Sequence, residues 1–246
     1  MLQIQPIPNE PALLIEKNEI LVMADLHIGI EHEFYRQGVH ISSHTKKITQ
    51  QIMQLLKKYK PKNVLLLGDI KHTIPTSTHH EQKEISTLLV LMQQYSTVHL
   101  VPGNHDGGIK ALLPPGIILH PSDGCILQNI GFIHGHRWPK QELLAQECII
   151  IGHTHPSIQF TDRQGYKTYE PCWLRGKTIN MPSVKRYAHL RTNPMIIVLP
   201  AYNRLCGSIA VNREPLAGPF AQLLNRVQTD VYLLDGSLLG KLKDIK

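Results

Sequence analysis

Aspartate, histidine and asparagine recur in this sequence in five short groups whose spacings suit the ligation of divalent cations. Asp25-Leu26-His27 sets a carboxylate and an imidazole two apart, and Gly68-Asp69 supplies another carboxylate. Gly103-Asn104-His105-Asp106 brings an amide, an imidazole and a carboxylate; His134-Gly135-His136 and Gly152-His153-Thr154-His155 each bring a pair of imidazoles. Side chains two apart on extended backbone point the same way, so Asp25 with His27, and His153 with His155, can grip one ion. Glycines before Asp69, Asn104 and His153 allow sharp turns and close approach of the backbone to a ligand. Oxygen and imidazole donors without thiolate favour Mn first, with Fe, Zn, Mg and Ni as alternatives, over a structural cysteine–zinc site.

The elements that must position these groups are legible as short apolar runs alternating with amphipathic stretches. Residues 19–24 (EILVMA) read as a buried strand, paired with 12–16 across a turn at Lys17-Asn18. The spacing predicts a helix over 43–59, with Ile48, Ile52, Leu55 and Leu56 on one face, Ser42 or Ser43 as its cap and Pro61 marking its end. Strands over 64–67 and 97–101 enclose a second helix over 81–95, whose inward residues are Ile85, Leu88, Leu89 and Met92. A hairpin over 126–134 turns near Asn129, and 148–151 is a further buried strand. This alternation is that of an α/β fold. The five groups fall just past the strand ends, where open α/β sheets bind their ligands. Beyond Pro156, strand-like segments (157–161, 195–199, 208–211, 230–234) alternate with turns, and a single domain over 1–246 is expected.

Charge and composition narrow the partners. The formal charge of +7 is uneven: between Arg163 and Arg213 the Lys and Arg residues are Arg163, Lys167, Arg175, Lys177, Lys185, Arg186, Arg191, Arg204 and Arg213, against the single acid Glu170. Such a stretch suits a phosphate ester or a nucleic-acid backbone, and equally a solvated loop. No apolar run approaches the roughly 20 residues of a spanning helix, and the N-terminal residues lack the pattern of a secretory signal. Cys125, Cys148, Cys172 and Cys206 form no C-x-x-C pair, so reduced thiols in a cytoplasmic protein are expected rather than a disulfide framework.

Taken in order, D-x-H, G-D, G-N-H-D, H-G-H and G-H-T-H over residues 24–156 resemble the calcineurin-like metallophosphoesterase superfamily. Within it, residues 24–29 (ADLHIG), 68–72 (GDIKH) and 199–203 (LPAYN) are similar to the small phosphoesterases of archaea and those found beside bacterial DNA ligase genes. The resemblance implies two mixed β-sheets packed face to face and flanked by helices. It implies one ion held by Asp25, His27, Asp69 and His155, and a second by Asp69, Asn104, His134 and His153, with Asp69 bridging; His136 is the alternative to His134. His105 would face the scissile phosphate as acid or charge stabiliser. Two such ions lower the pKa of a shared water, which then attacks phosphorus in line with the leaving group.

One position departs from the phosphoprotein-phosphatase branch, where the residue three after the bridging Asp is an Asp. Here it is His72, as in the branch of double-strand-break repair nucleases, which favours phosphodiesters and leaves Asp106 or His72 to hold His105. A small-molecule phosphomonoesterase is the alternative function, and a non-catalytic scaffold the third. Trp173 with Arg175, and Tyr202-Asn203-Arg204, are candidate substrate contacts, with packing as the default for the aromatics. His40, His44, His79, His80, His99, His120 and His189 read as surface or loop residues.

Overall fold

The structure, a computed structural model, describes residues 3–17, 19–41, 43–75, 78–179 and 184–245. Strand alternation sorts the apolar residues into three layers. In β3 (Ile20–Met23) and β4 (Asn63–Leu67) every apolar residue is buried, yet alternate ones face different partners. Leu21, Met23, Val64 and Leu66 pack under helices α2 (His44–Tyr59) and α3 (His79–Gln93). Ile20, Val22, Leu65 and Leu67 face a second sheet. A strand covered on both faces must be apolar throughout, which is why these runs show no polar alternation.

The first sheet has the order β1 (Ile4–Pro6), β2 (Ala12–Ile15), β3, β4, β5 (Thr97–Val101), β6 (Ile118–Leu119). It is antiparallel up to β3 and parallel from there on. The second sheet comprises β7 (Cys125–Leu127), β8 (Ile130–Ile133), β9 (Cys148–Ile151), β10 (Pro156–Thr161), β11 (Lys167–Lys177), β12 (Met195–Val198), β13 (Ile209–Ala210), β14 (Asp230–Leu233) and β15 (Leu238–Lys241). Its central order is β13-β10-β11-β12-β9-β8-β7, with the β14–β15 hairpin paired to the second half of β11. Parallel pairs β12–β9 and β9–β8 point the ends of β8 and β9 toward the same edge as those of β3, β4 and β5. The resulting architecture is two mixed sheets face to face, with helices on the outside of the first. The outer face of the second is covered by the short α4 (Gln141–Leu144) and by 3-10 turns, among them residues Ala221–Leu223.

The expected elements appear near their predicted places, with differences that have physical causes. The second helix starts two residues early, because Thr78 caps it. Its hydroxyl accepts from the Glu81 N–H and Glu81 Oε2 accepts from the Thr78 N–H, both at 3.2 Å, a capping box. The β7–β8 turn carries left-handed φ at Gln128 (51°) and Asn129 (59°), the twist a two-residue hairpin needs. The longest strand, β11, and helix α1 (Ile30–Arg36) have no counterpart among the expectations, and neither do the short β1, β6, β15 and α4. Pro171, Gly176 and charged, exposed ends argue locally against a strand, but pairing with β10, β12 and β14 overrides them. Helix α1 buries only Ile30 and Glu31, so it shows no apolar stripe. Ser43 caps α2, its Oγ accepting from Lys46 N at 3.4 Å; Asn18 and Ser42 lie outside the described residues. Among the described residues no helix is long and apolar enough to cross a membrane. His99 is not a surface residue: it is buried on β5, its ring between Asn63 Oδ1 (3.2 Å) and the stacked His120 ring (2.9 Å).

Candidate metal centre

Past Met23 the chain keeps its ladder with the Gly68 segment while twisting out of strand geometry. Asp25 N donates to Gly68 O (3.0 Å), His27 N to Asp69 O (2.9 Å) and Ile28 N to Ile70 O (2.8 Å). Asp25, His27 and Asp69 have φ of 59°, 41° and 51°, and His153 and His155 of 65° and 45°. The extended geometry expected for Asp-x-His and His-x-His is therefore corrected: both residues of each pair sit in the left-handed region, and their side chains converge by that route. Each such residue costs on the order of 1 kcal/mol and persists only where its surroundings hold it, as at functional sites. Gly68 (φ 81°) has no alternative, since a Cβ there would lie 2.2 Å from His134 Nδ1; a Cβ on Gly103 would lie 2.2 Å from Asp69 Oδ1.

The side chains of Asp25, His27 and Asp69 bring ligand atoms within 4.8 Å of one another, and so do those of Asp69, His134 and His153. Asp69 belongs to both groups. Its Oδ2 lies 3.3 Å from His134 Nε2 and 3.7 Å from His27 Nε2, while its Oδ1 accepts the His105 N–H at 2.8 Å. Asp25 Oδ1 lies 3.3 Å from His155 Nε2, and its two oxygens face the His153 N–H at 3.3 and 3.1 Å. Hydrogen bonds on the far side fix the rings. His134 Nδ1 donates to Leu67 O and His155 Nδ1 to Gly207 O, each at 2.9 Å. Glu33 only accepts, so His72 donates Nε2–H to its Oε2 (2.5 Å), and in that tautomer its Nδ1 faces His27 Nδ1 at 3.3 Å as an acceptor. The rings of His27, His134 and His155 then turn Nε2 inward, toward the carboxylates. The Nε2 atoms of His27, His134 and His155 are buried and have no hydrogen-bond partner. Buried polar atoms are as a rule satisfied, so three inward ring nitrogens without partners, facing two carboxylates, are the environment of bound cations.

The electrostatics agree. Burial pushes the His27 and His153 imidazoles down to about 3 and about 4, so both are neutral donors at physiological pH. Burial also opposes charge on His134, yet the Asp69 and Asp25 carboxylates outweigh it and push that imidazole up to about 9. In the metal-free protein a proton on His134 Nε2 thus stands in for the ion. Metal uptake below pH 9 must expel it, so apparent affinity should climb with pH and level off above about 9. Titration calorimetry near neutrality in buffers of different ionisation heat should show proton release; a buffer-independent enthalpy would contradict the assignment.

The remaining candidates sort unevenly. His134, not His136, reaches Asp69 and His153; the His136 ring stands 6.1 Å from that of His153 and accepts from Arg137 Nε at 3.2 Å. Asn104 is exposed on the loop and has no hydrogen bond among the described residues. His105 is held by His72 and not by Asp106: the two imidazole rings stack with centroids 5.8 Å apart. The His105 Nδ1 donates to the main-chain carbonyl of His72 (2.6 Å), and its ring stands edge-on to that of His27, centroids 4.8 Å apart. Asp106 instead fastens two loops together: Oδ1 accepts from Ile70 N (2.9 Å) and Lys71 N (3.2 Å), and Oδ2 from Gly103 N (2.8 Å). Asn203 is likewise a brace rather than a substrate contact. Buried, it donates through Nδ2 to Leu26 O (2.9 Å) and His27 O (3.3 Å), clamping the Asp25–His27 turn. Trp173 and Tyr202 are core residues, in the inter-sheet and helix-side layers respectively. Sequence reading passed over Cys206, which lies within ligand distance of His27 and His155; nothing in its spacing could have shown that.

Two facing mixed sheets that deliver aspartate and histidine to one edge define an ester hydrolase built around a metal centre. The comparison with known families agrees: the calcineurin-like phosphoesterase superfamily domain matches residues 19–188, and the chain belongs to that superfamily. No curated protein matches it. Among solved structures it is similar to the nuclease MPE of Pseudomonas putida, with a TM-score of 0.60 at 18% identity over 95% of this chain and 98% of that one. It also matches YfcE, a phosphoesterase from E. coli, over 92% of this chain and 99% of that one, with a TM-score of 0.41 at 13% identity. At these identities the likeness to MPE is one of fold.

Proposed function

We propose that this protein hydrolyses phosphodiesters of a nucleotide or nucleic acid with two divalent ions, manganese foremost. The reading assigns Asp25, His27, Asp69 and His155 to one ion and Asp69, Asn104, His134 and His153 to the other. The observation that carries it is the Asp69 carboxylate, set between imidazoles whose inward nitrogens have no other partner. Bound there, the ions supply Lewis acidity to phosphoryl oxygens and an activated water. The chain's own contribution to the reacting bond is His105. Its Nδ1–H is committed to the His72 carbonyl, so its Nε2 is the atom left to meet the phosphate, and in the doubly protonated ring the Nε2–H is the proton passed to the leaving oxygen.

Three features favour a diester in a nucleic-acid setting. His72 occupies the place of the phosphatase-branch Asp. An open cleft beside the centre runs from His136 past Arg137, Trp138 and Arg186, cations and an aromatic that suit a charged backbone and a base. MPE, which has this fold, is a nuclease. The basic residues between 163 and 213 are not one patch, however: Arg175 lines a cavity at the opposite side with Trp173, and Arg204 is turned toward Asn9 O. The whole of 1–246 works as one domain in this reading, since β12 to β15 complete the sheet that carries His134 and His153. Four free thiols fit a reducing cytoplasm.

The test is hydrolysis by manganese-loaded protein of bis(p-nitrophenyl) phosphate and single-stranded DNA against p-nitrophenyl phosphate. His105→Ala should lower diester turnover by about 10²–10⁴-fold while metal content stays that of wild type. A marked preference for the monoester would replace the diester reading with a phosphomonoesterase. Full activity of His105→Ala on a poor leaving group would remove the acid role.

A further inference from the structure

Outside the centre just described, helices α1 and α3 bring together a second set of metal-type donors. His32 lies on α1, and His80 and Glu84 lie one turn apart on α3. Their ligand atoms converge: His32 Nε2 to His80 Nδ1 is 3.1 Å, His80 Nδ1 to Glu84 Oε2 is 3.3 Å, and His32 Nε2 to Glu84 Oε2 is 3.9 Å. The rings meet edge to face at 4.8 Å, the arrangement in which two imidazoles share one locus without stacking.

Protons alone satisfy this trio poorly. If His32 donates to His80, the His80 Nδ1 lone pair faces a carboxylate oxygen 3.3 Å away; if His80 donates, the His32 lone pair is left facing that oxygen. Glu84 Oε2 is in fact buried with no hydrogen-bond partner, and so is Oε2 of the neighbouring Glu31, whose other oxygen accepts the Thr45 N–H. The shortfall is of positive charge, in a pocket bounded by two carboxylates. Donors of a tetrahedral zinc ion with bonds of about 2.0–2.1 Å stand about 3.3 Å apart, close to the spacings seen.

We propose that His32, His80 and Glu84 form a third metal site, taking one zinc-type ion with two imidazoles, a carboxylate and a water as fourth ligand. None of the three belongs to the dinuclear set. Its effect is on architecture. α1 follows directly from the His27 turn, and α3 carries Glu81, whose Oε1 accepts the His72 and Thr73 N–H groups at 2.8 and 2.9 Å. An ion joining the two helices therefore holds both supports of the His72 loop, from which the His105 and His27 rings take their orientation.

The ion is counted most cleanly where the dinuclear centre is disabled. Zinc-equilibrated Asp69→Ala protein, freed of loose metal by gel filtration, should retain one zinc per chain by plasma mass spectrometry. The Asp69→Ala/His80→Ala double variant should retain none. His80 is exposed, so its replacement leaves the fold intact, and in the otherwise native chain His80→Ala and Glu84→Gln should each hold one zinc fewer than wild type. Added zinc should also raise the melting temperature of Asp69→Ala and leave that of the double variant unmoved. Equal zinc content with and without His80, in either background, overturns the third site and leaves the dinuclear reading untouched. Loss of all zinc from the Asp69→Ala protein alone overturns it as well.

Discussion

Asp69→Ala is expected to strip both ions from the dinuclear centre and to lower phosphodiester hydrolysis by at least about 10³-fold. The magnitude follows from the several kcal/mol of charge stabilisation that a bound metal contributes at the phosphoryl group, each 1.36 kcal/mol being tenfold in rate. The loss should exceed that of removing His105, because Asp69 offers ligand atoms both to the group with Asp25 and His27 and to the group with His134 and His153. Asp69 also has a structural duty, accepting the His105 N–H at 2.8 Å, so alanine loosens the loop as well as the ions. Asp69→Asn separates the two effects. An amide oxygen in the Oδ1 position still accepts that N–H, whereas a neutral group cannot bridge two cations. The asparagine variant should therefore melt close to wild type while its metal content and its turnover of bis(p-nitrophenyl) phosphate fall together. Asparagine protein that kept both ions by mass spectrometry would mean that Asp69 does not bridge.

That Asp69 could be singled out from sequence, while other supports of the centre could not, has a physical reason. The apolar runs at 19–24, 64–67 and 148–151 announce strands buried on both faces, and reactive residues placed just after them stand out. Spacing within one loop is local information, and the five groups were legible at that level. What sequence could not supply is the pairing of distant backbone. The role of Asn203 depends on β12 returning beside β9, which brings residue 203 against the carbonyls of Leu26 and His27. The His72 ring could be read as a departure from the phosphatase pattern, but its partner Glu33 sits on a helix with no apolar stripe to betray it. Cys206 and the His32–His80–Glu84 trio are convergences of the same non-local kind. The extended geometry expected at Asp25 and His27 failed because residue spacing carries no sign of φ, and both residues are left-handed.

Asp106 illustrates how much of the centre rests on a residue with no part in the chemistry. Its carboxylate is 3% exposed and receives three main-chain N–H groups, from Ile70, Lys71 and Gly103. Two of these belong to the loop after Asp69, and the third precedes Asn104 and His105, so one side chain sets the separation of the two loops. Asp106→Ala leaves all three donors buried without an acceptor. At about 1–3 kcal/mol for each unsatisfied group, and with some relief from entering water, the variant should lose about 3–6 kcal/mol of stability. For a chain of this size that is a fall of about 10–20 °C in melting temperature. Burial pushes the Asp106 carboxyl above its ordinary pKa even though the Gly103 and Lys71 N–H groups pull it down, so the buried charge is itself costly. Asp106→Asn removes that charge and keeps Oδ1 as acceptor for Ile70 and Lys71, losing only the Gly103 bond. The asparagine variant should therefore recover more than half of the alanine deficit in thermal melts, and should bind metal more tightly than alanine does because the Asp69 loop is still tied. Should Asp106→Ala melt within two or three degrees of wild type, the two loops must be held together by something other than this carboxylate.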